Sequence, residues 1–230
     1  MKEIVQNSLF FGVAISIGTY LLASRIRKRW NFFLFNPLLL SITATIATLL
    51  ITGIDYVSYN NGAKYLSYLL TPATVALAIP LYEQLSLLKK NFTAIMLGIA
   101  SGVLMSCISI FAMALMFRLG HTEYVTLLPK SITTAIGISL SQELQGYVAI
   151  TVTSIIMTGL LGNIAGNLIC RILHIKHPIA KGIAIGTASH VMGTAKAMEI
   201  GEVEGAMSSL SIAVAGCMTV GAAIIFEGLI

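Results

Sequence analysis

Charge is scarce in this chain: of 230 residues, 14 are Lys or Arg and 9 are Asp or Glu. That is too little charge for a soluble domain. The net charge of +5 has an ordinary source in loop lysines and arginines that set membrane orientation and meet anionic lipid, and it gives no support to a nucleic-acid partner. Cysteine is rare too. Cys107, Cys170 and Cys217 stand singly within apolar runs, which predicts plain packing and neither a metal site nor a disulfide. HExxH, GxSxG and Walker motifs are missing, as is a pair of carboxylates on one polar segment, so the sequence argues against an enzyme and implies no cofactor. The ten-residue alternation of a membrane barrel is also missing, which leaves helices as the spanning element.

What the chain has is apolar length. Hydrophobic residues make up 57% of it and its mean hydropathy is +0.90, well beyond a soluble domain. Residues 4–23, 35–54, 62–85, 92–117, 146–170 and 205–225 form runs near the ~20 helical residues that cross a bilayer. The third is interrupted by Pro72 and Pro80, and 92–117 is almost without polar side chains. Two weaker stretches, 124–144 and 178–200, carry ionisable groups. The reading is an all-α polytopic membrane protein of six to eight transmembrane helices, with two interrupted or re-entrant segments. It is a single integral membrane domain over 1–230, with N-terminal helices to residue 90 and a core over 91–230 that holds the substrate site.

Arg25, Arg27, Lys28 and Arg29 follow the first run, which reads as a retained helix with its basic end in the cytoplasm and its N-terminus external. Lys89 and Lys90 mark the cytoplasmic end of the third run, in agreement. If both weak stretches cross, Arg171 and Lys176 fall outside; if 124–144 dips in and returns, they fall inside. Eight crossings and six crossings with two re-entrant segments both stand, and the charges lean to the second.

Residues 92–117 lead through Arg118 and His121 to LLPKSITTAIG, and 146–170 lead through Arg171 and His174 to IAKGIAIGTAS. Each is an apolar helix, a basic loop, then a Lys followed by small and hydroxyl residues, which suggests an inverted repeat of the kind that builds alternating-access carriers.

Polar groups set in such a chain mark its candidate site. Pro129 in a first helical turn leaves outward amides beside Lys130, Ser131, Thr133 and Thr134, a cradle for a carboxylate; the bland alternative is a lysine snorkelling from a helix end. Residues 182–196, GIAIGTASHVMGTAK, offer Thr187, Ser189, His190 and Thr194 on a glycine-rich tract that suits close packing or an unwound hairpin tip. His190 either couples a proton to transport or rests neutral between helices, bonded to Ser189 or Thr194. Glu204 is a second proton-coupling candidate, with Lys196 or Lys181 as partners. Pro72 disfavours helix at Thr71 and predicts a local break, so Pro72, Thr74 and Asn36 form a second tier of binding residues.

Five blocks carry a family resemblance: Asn36-Pro37-Leu38-Leu39, TPATVALAIPLYE (71–83), LLPKSITTAIG (127–137), AKGIAIGTASHVMGTAKAME (180–199) and GEVEGAMSSLS (201–211). Together they resemble the LrgB/CidB membrane family, most closely its antiholin-like LrgB branch. That resemblance implies a bacterial inner-membrane protein that acts with a small LrgA/CidA-type membrane partner in the control of murein hydrolases and autolysis. It also implies small carboxylates as cargo, since relatives are linked to pyruvate, glycolate and glycerate.

Two function classes are consistent with these features. A carrier for small monocarboxylates needs a mid-depth site of positive and hydrogen-bonding groups, and interrupted helices favour it. A pore component or pore regulator needs assembly faces, which the Gly/Ala/Ser stretches supply. Either is expected as a homo-oligomer in the lipid bilayer.

Overall fold

The computed structural model describes residues 10–29, 35–76 and 78–230, with the backbone alone for 70, 71, 74, 80 and 81. These residues fall into two compact units, one ending at Ala76 and the other running on to Ile230. Every regular element among them is helical.

The first unit holds α1 (Phe11–Arg29), α2 (Pro37–Thr52), α3 (Tyr56–Ser67) and α4 (Leu70–Ala76). The run over 4–23 begins outside the described residues, and α1 carries the remainder of it on to the basic cluster. α2 starts where Asn36 Oδ1 accepts from the amides of Leu38 (2.9 Å) and Leu39 (3.3 Å), with Pro37 in the first turn. It stops at Gly53, whose φ of 62° suits glycine. The Asp55 carboxylate caps α3; the Ser58 hydroxyl and then the Ser58 amide donate to it and hold its pKa below the usual value. Hydroxyls join these helices, Thr19 to Thr45 at 3.0 Å and Ser16 to Tyr59 at 2.7 Å. Thr71, where Pro72 is expected to disfavour helix, lies within α4, and the chain turns earlier, at Tyr68–Leu69, because proline is tolerated in a first helical turn. Pro72 has no amide hydrogen for the carbonyl of Tyr68, and the ladder resumes from the Ala73 amide to the Leu69 carbonyl.

The second unit runs through α5 (Ala78–Glu83), α6 (Leu85–Lys90), α7 (Phe92–Phe117), α8 (His121–Leu127), a 3-10 turn η1 (Leu128–Ser131), α9 (Thr134–Glu143), α10 (Val148–Ile172), α11 (Pro178–Ile200) and α12 (Glu202–Glu227). Among the described residues, α7, α10 and α12 are the three helices long and apolar enough to cross a membrane. Their outer faces stay apolar, with Leu104, Met116, Met157 and Ile225 exposed.

The two weak stretches both fold back on themselves. α8 and α9, of 7 and 10 residues, reach about 10 and 15 Å, short of a hydrocarbon core about 30 Å thick. They meet on α10: Thr151 donates to the Thr126 carbonyl (2.9 Å) and bonds the Ser141 hydroxyl (2.7 Å), so positions before and after the turn come to one point. In α11, His190 has φ 42° and ψ −139° and divides the helix into arms 178–189 and 191–200. Gly193 packs against Ile185, eight residues earlier, a contact that a straight helix cannot make. α12 touches both arms. Its Glu204 and Ser208 lie against Gly182 and Gly186 of the first arm, while its Gly205 lies against Met198 and its Ser208 hydroxyl meets that of Thr194 at 2.7 Å in the second.

Each hairpin comes after a long helix and a left-handed residue, Arg118 (φ 53°) or His174 (φ 56°). Both tips converge on one turn of α10, where Ile155 packs beside Gly137 and its carbonyl accepts from His190 Nε2 at 3.0 Å. The first arm of α11 sits in a core with Ile95, Ile99 and Val103 of α7 and with Ala206 and Met207 of α12. Gly186 allows that fit, because a Cβ there would strike the Ser208 backbone.

Gly186→Leu is therefore expected to lower stability by about 1–3 kcal/mol or more through overpacking. Thermal unfolding in detergent checks it beside Gly221→Leu, a site with open space around it, which is expected to leave the midpoint unchanged.

Candidate functional site

A cavity of about 1180 Å³ opens in the second unit. α7 lines one wall with Gly98, Ser101, Gly102, Met105, Ser106 and Ser109; α10 adds Thr158, Leu161, Gly162, Ala165 and Ile169. The first arm of α11 supplies Ile183, Thr187 and Ser189, and η1 supplies Lys130 and Ser131. The wall residues Asn91, Ile169 and His177 come from the start of α7, the end of α10 and the residue before α11, so one end of the cavity lies at those helix ends. The other reaches the hairpin tips. Most of the lining is apolar with a few convergent polar groups, which is the composition of a small-molecule site.

Lys130 is the charged side chain at the tip. Its Nζ donates to Ser131 Oγ at 3.1 Å and to Ser106 Oγ at 3.2 Å, and the two hydroxyls are 3.3 Å apart. The single ion pair among the described residues joins Lys196 to Glu199, so the partners of Lys130 are neutral hydroxyls. A half-buried ammonium in that setting lacks the carboxylate that would offset its desolvation. The 3-10 geometry of η1 turns Lys130 and Ser131 to the cavity. Thr133 and Thr134 come after the extended Ile132, at the N-cap and first residue of α9, and are not part of the lining.

The tract over 182–196 divides in the same way. Thr187 and Ser189 line the cavity, and a Cβ on Gly162 would overlap the Ser189 side chain, so α10 is seated directly against the arm. His190 and Thr194 point elsewhere. His190 is buried with its ring over Gly159; since the Ile155 carbonyl only accepts, Nε2 carries the proton. Asn163 Nδ2 donates to the Met192 carbonyl at 2.6 Å on the other flank of the break. Thr194 donates to the His190 carbonyl at 3.0 Å in addition to its contact with Ser208. Glu204 is buried in the first turn of α12 against Gly201 and Gly182, while Lys196 pairs with Glu199 instead. Asn36 caps α2 and Pro72 lies exposed on α4, both in the first unit; the Thr74 side chain lies outside the described residues.

Sequence reasoning missed Ser106, Thr158 and His177. A signal for Ser106 was present: Gly98, Ser101, Gly102, Met105, Ser106 and Ser109 recur at intervals of three and four, one face of an otherwise apolar helix. All three cysteines are free, with Cys107 and Cys170 buried and Cys217 exposed.

Comparison with known proteins agrees with the five sequence blocks. The family model described as LrgB-like matches residues 16–228. A Bacillus subtilis protein named antiholin-like protein LrgB is 38% identical over 218 residues, 93% of each chain. Proteins of the same name from Bacillus cereus and Bacillus anthracis are 38% identical over 212 residues, 92% of each chain. No solved structure matches. With the family model covering most of the chain and relatives of this identity along nearly its whole length, the protein belongs to the LrgB-like family.

Proposed function

We propose that this protein is an alternating-access carrier of small monocarboxylates of the pyruvate, glycolate and glycerate type, in the cytoplasmic membrane of a bacterium. The observation that carries the reading is Lys130: an ammonium with hydroxyl partners alone, at the inner end of a cavity, where two hairpin tips converge on α10. A carboxylate entering from the open end supplies the missing charge and takes hydrogen bonds from Ser131 and Ser189, with Thr187 on the wall beside them. Transport is linked to autolysis and murein hydrolase control through membrane energetics, with a small LrgA-type protein as partner and a second copy of the chain as neighbour. Proton coupling through His190 or Glu204 belongs to this proposal. The His190 bond to Ile155 makes that ring a latch on α10 as well.

The two hairpins are re-entrant in this reading, and 91–230 is an inverted repeat of long helix, left-handed residue and hairpin, closed by α12. Charge supports it. Lys89, Lys90, Arg171 and Lys176 then share one face and Arg118 lies on the other, which makes the first face cytoplasmic and the cavity inward-open. The pore-regulator alternative draws its support from the name antiholin-like that the relatives carry.

In proteoliposomes holding the chain alone, saturable uptake of labelled pyruvate or glycolate without dye leak is expected, and Lys130→Met is expected to reduce it at least tenfold. Dye leak without saturation would favour the pore instead. Single cysteines at Gln145 and Lys176 in a cysteine-free background are expected to label from opposite faces, and cysteines at Gly120 and Gln145 from the same face. Labelling of Gly120 and Gln145 from opposite faces would overturn the re-entrant topology.

A further inference from the structure

Thr187 Oγ1 is the one buried side-chain polar atom among the described residues that lacks a hydrogen-bond partner. Thr187 is 7% exposed, and the residue lines the cavity. The missing bond is not a habit of helical hydroxyls in this chain. Thr19, Thr48, Thr126, Thr153 and Ser211 each donate to the carbonyl four residues back, the usual way such groups are satisfied in lipid. Thr187 Oγ1 makes no such bond to the Ile183 carbonyl, and the Thr187 methyl lies against Gly102, where a Cβ would collide with it. An orphaned hydroxyl costs stability unless something completes it. At the other pole, Ser106 is held by Lys130 and Ser131 through contacts of 3.2 and 3.3 Å, on the α7 face that also carries Gly102 one turn earlier.

We propose that the site reads its ligand at two points: Ser106 completes the carboxylate subsite with Lys130 and Ser131, and Thr187, whose covered hydroxyl reaches the cavity on a rotation of its side chain, selects for a second oxygen on the carbon next to the carboxylate. The inference rests on the carrier reading and assigns the discrimination within it. A carboxylate with an adjacent hydroxyl or keto oxygen satisfies both poles, whereas an unsubstituted acid of similar size leaves Thr187 orphaned. A site built to bond a ligand oxygen rejects the analogue without it far more strongly than an apolar pocket does.

Lactate and propionate differ by that one oxygen. Titration of each against the full-length protein in detergent, followed by ligand-induced thermal stabilisation, gives apparent affinities without requiring transport. Wild type is expected to bind lactate roughly tenfold more tightly than propionate, the size of one lost hydrogen bond at a buried donor. Thr187→Val, close in shape, is expected to bring the ratio near one while keeping propionate affinity, and Thr187→Ser is expected to restore it. Ser106→Ala is expected to weaken both ligands by a similar factor. A Thr187→Val protein that keeps the wild-type ratio overturns the role of Thr187, and a Ser106→Ala protein with unchanged affinities overturns that of Ser106. If wild type binds neither acid, the carboxylate site itself is wrong and the carrier reading falls with the inference.

Discussion

A backbone carbonyl or amide shut away from water must find a partner, so a helix interrupted inside a packed unit has to be repaired by the protein around it. The second unit is organised by that constraint. At the α11 break, the His190 ring donates to the Ile155 carbonyl, Asn163 donates to the Met192 carbonyl and Thr194 donates to the His190 carbonyl. At the base of the α8–α9 hairpin, Thr126 and Thr151 join the two short helices to the start of α10. α10 takes part in both repairs. The polar side chains that sequence inspection marks as costly are therefore of two kinds, those that mend the fold and those that face the cavity.

Close approach is the companion requirement. With no hydrophobic drive between helices in lipid, association depends on packing, and small residues let backbones meet. The first arm of α11 shows this on three sides: Thr187 against Gly102 of α7, Ser189 against Gly162 of α10, and Gly186 against the Ser208 backbone of α12. Glycine spacing thus serves both the arm and the cavity, since the same contacts bring Thr187 and Ser189 to the wall.

Much of this is legible in the sequence. Residues 92–117 and 178–200 coincide with α7 and α11, because long apolar stretches act locally, whereas Pro72 sits inside α4, three residues after the turn. Lys130 with Ser131, and Thr187 with Ser189, do come together on one cavity. The reversal at His190 is less legible. It occurs at a histidine of positive φ rather than at one of the neighbouring glycines, and tertiary bonds to α10 hold it there. Thr133 and Thr134 group with Lys130 only if one helical turn runs through all of them; the extended Ile132 separates them. Ser106 is hidden by an apolar average that conceals its three-and-four spacing.

Ser208 is where the two arms of α11 are read at once: its backbone meets Gly186 on one side and its hydroxyl meets Thr194 on the other. α12 therefore works as a shaft bearing on both limbs of a clasp. Both limbs are seated on that one residue, so the wall of the cavity and the far side of the break are fastened to the same point of α12.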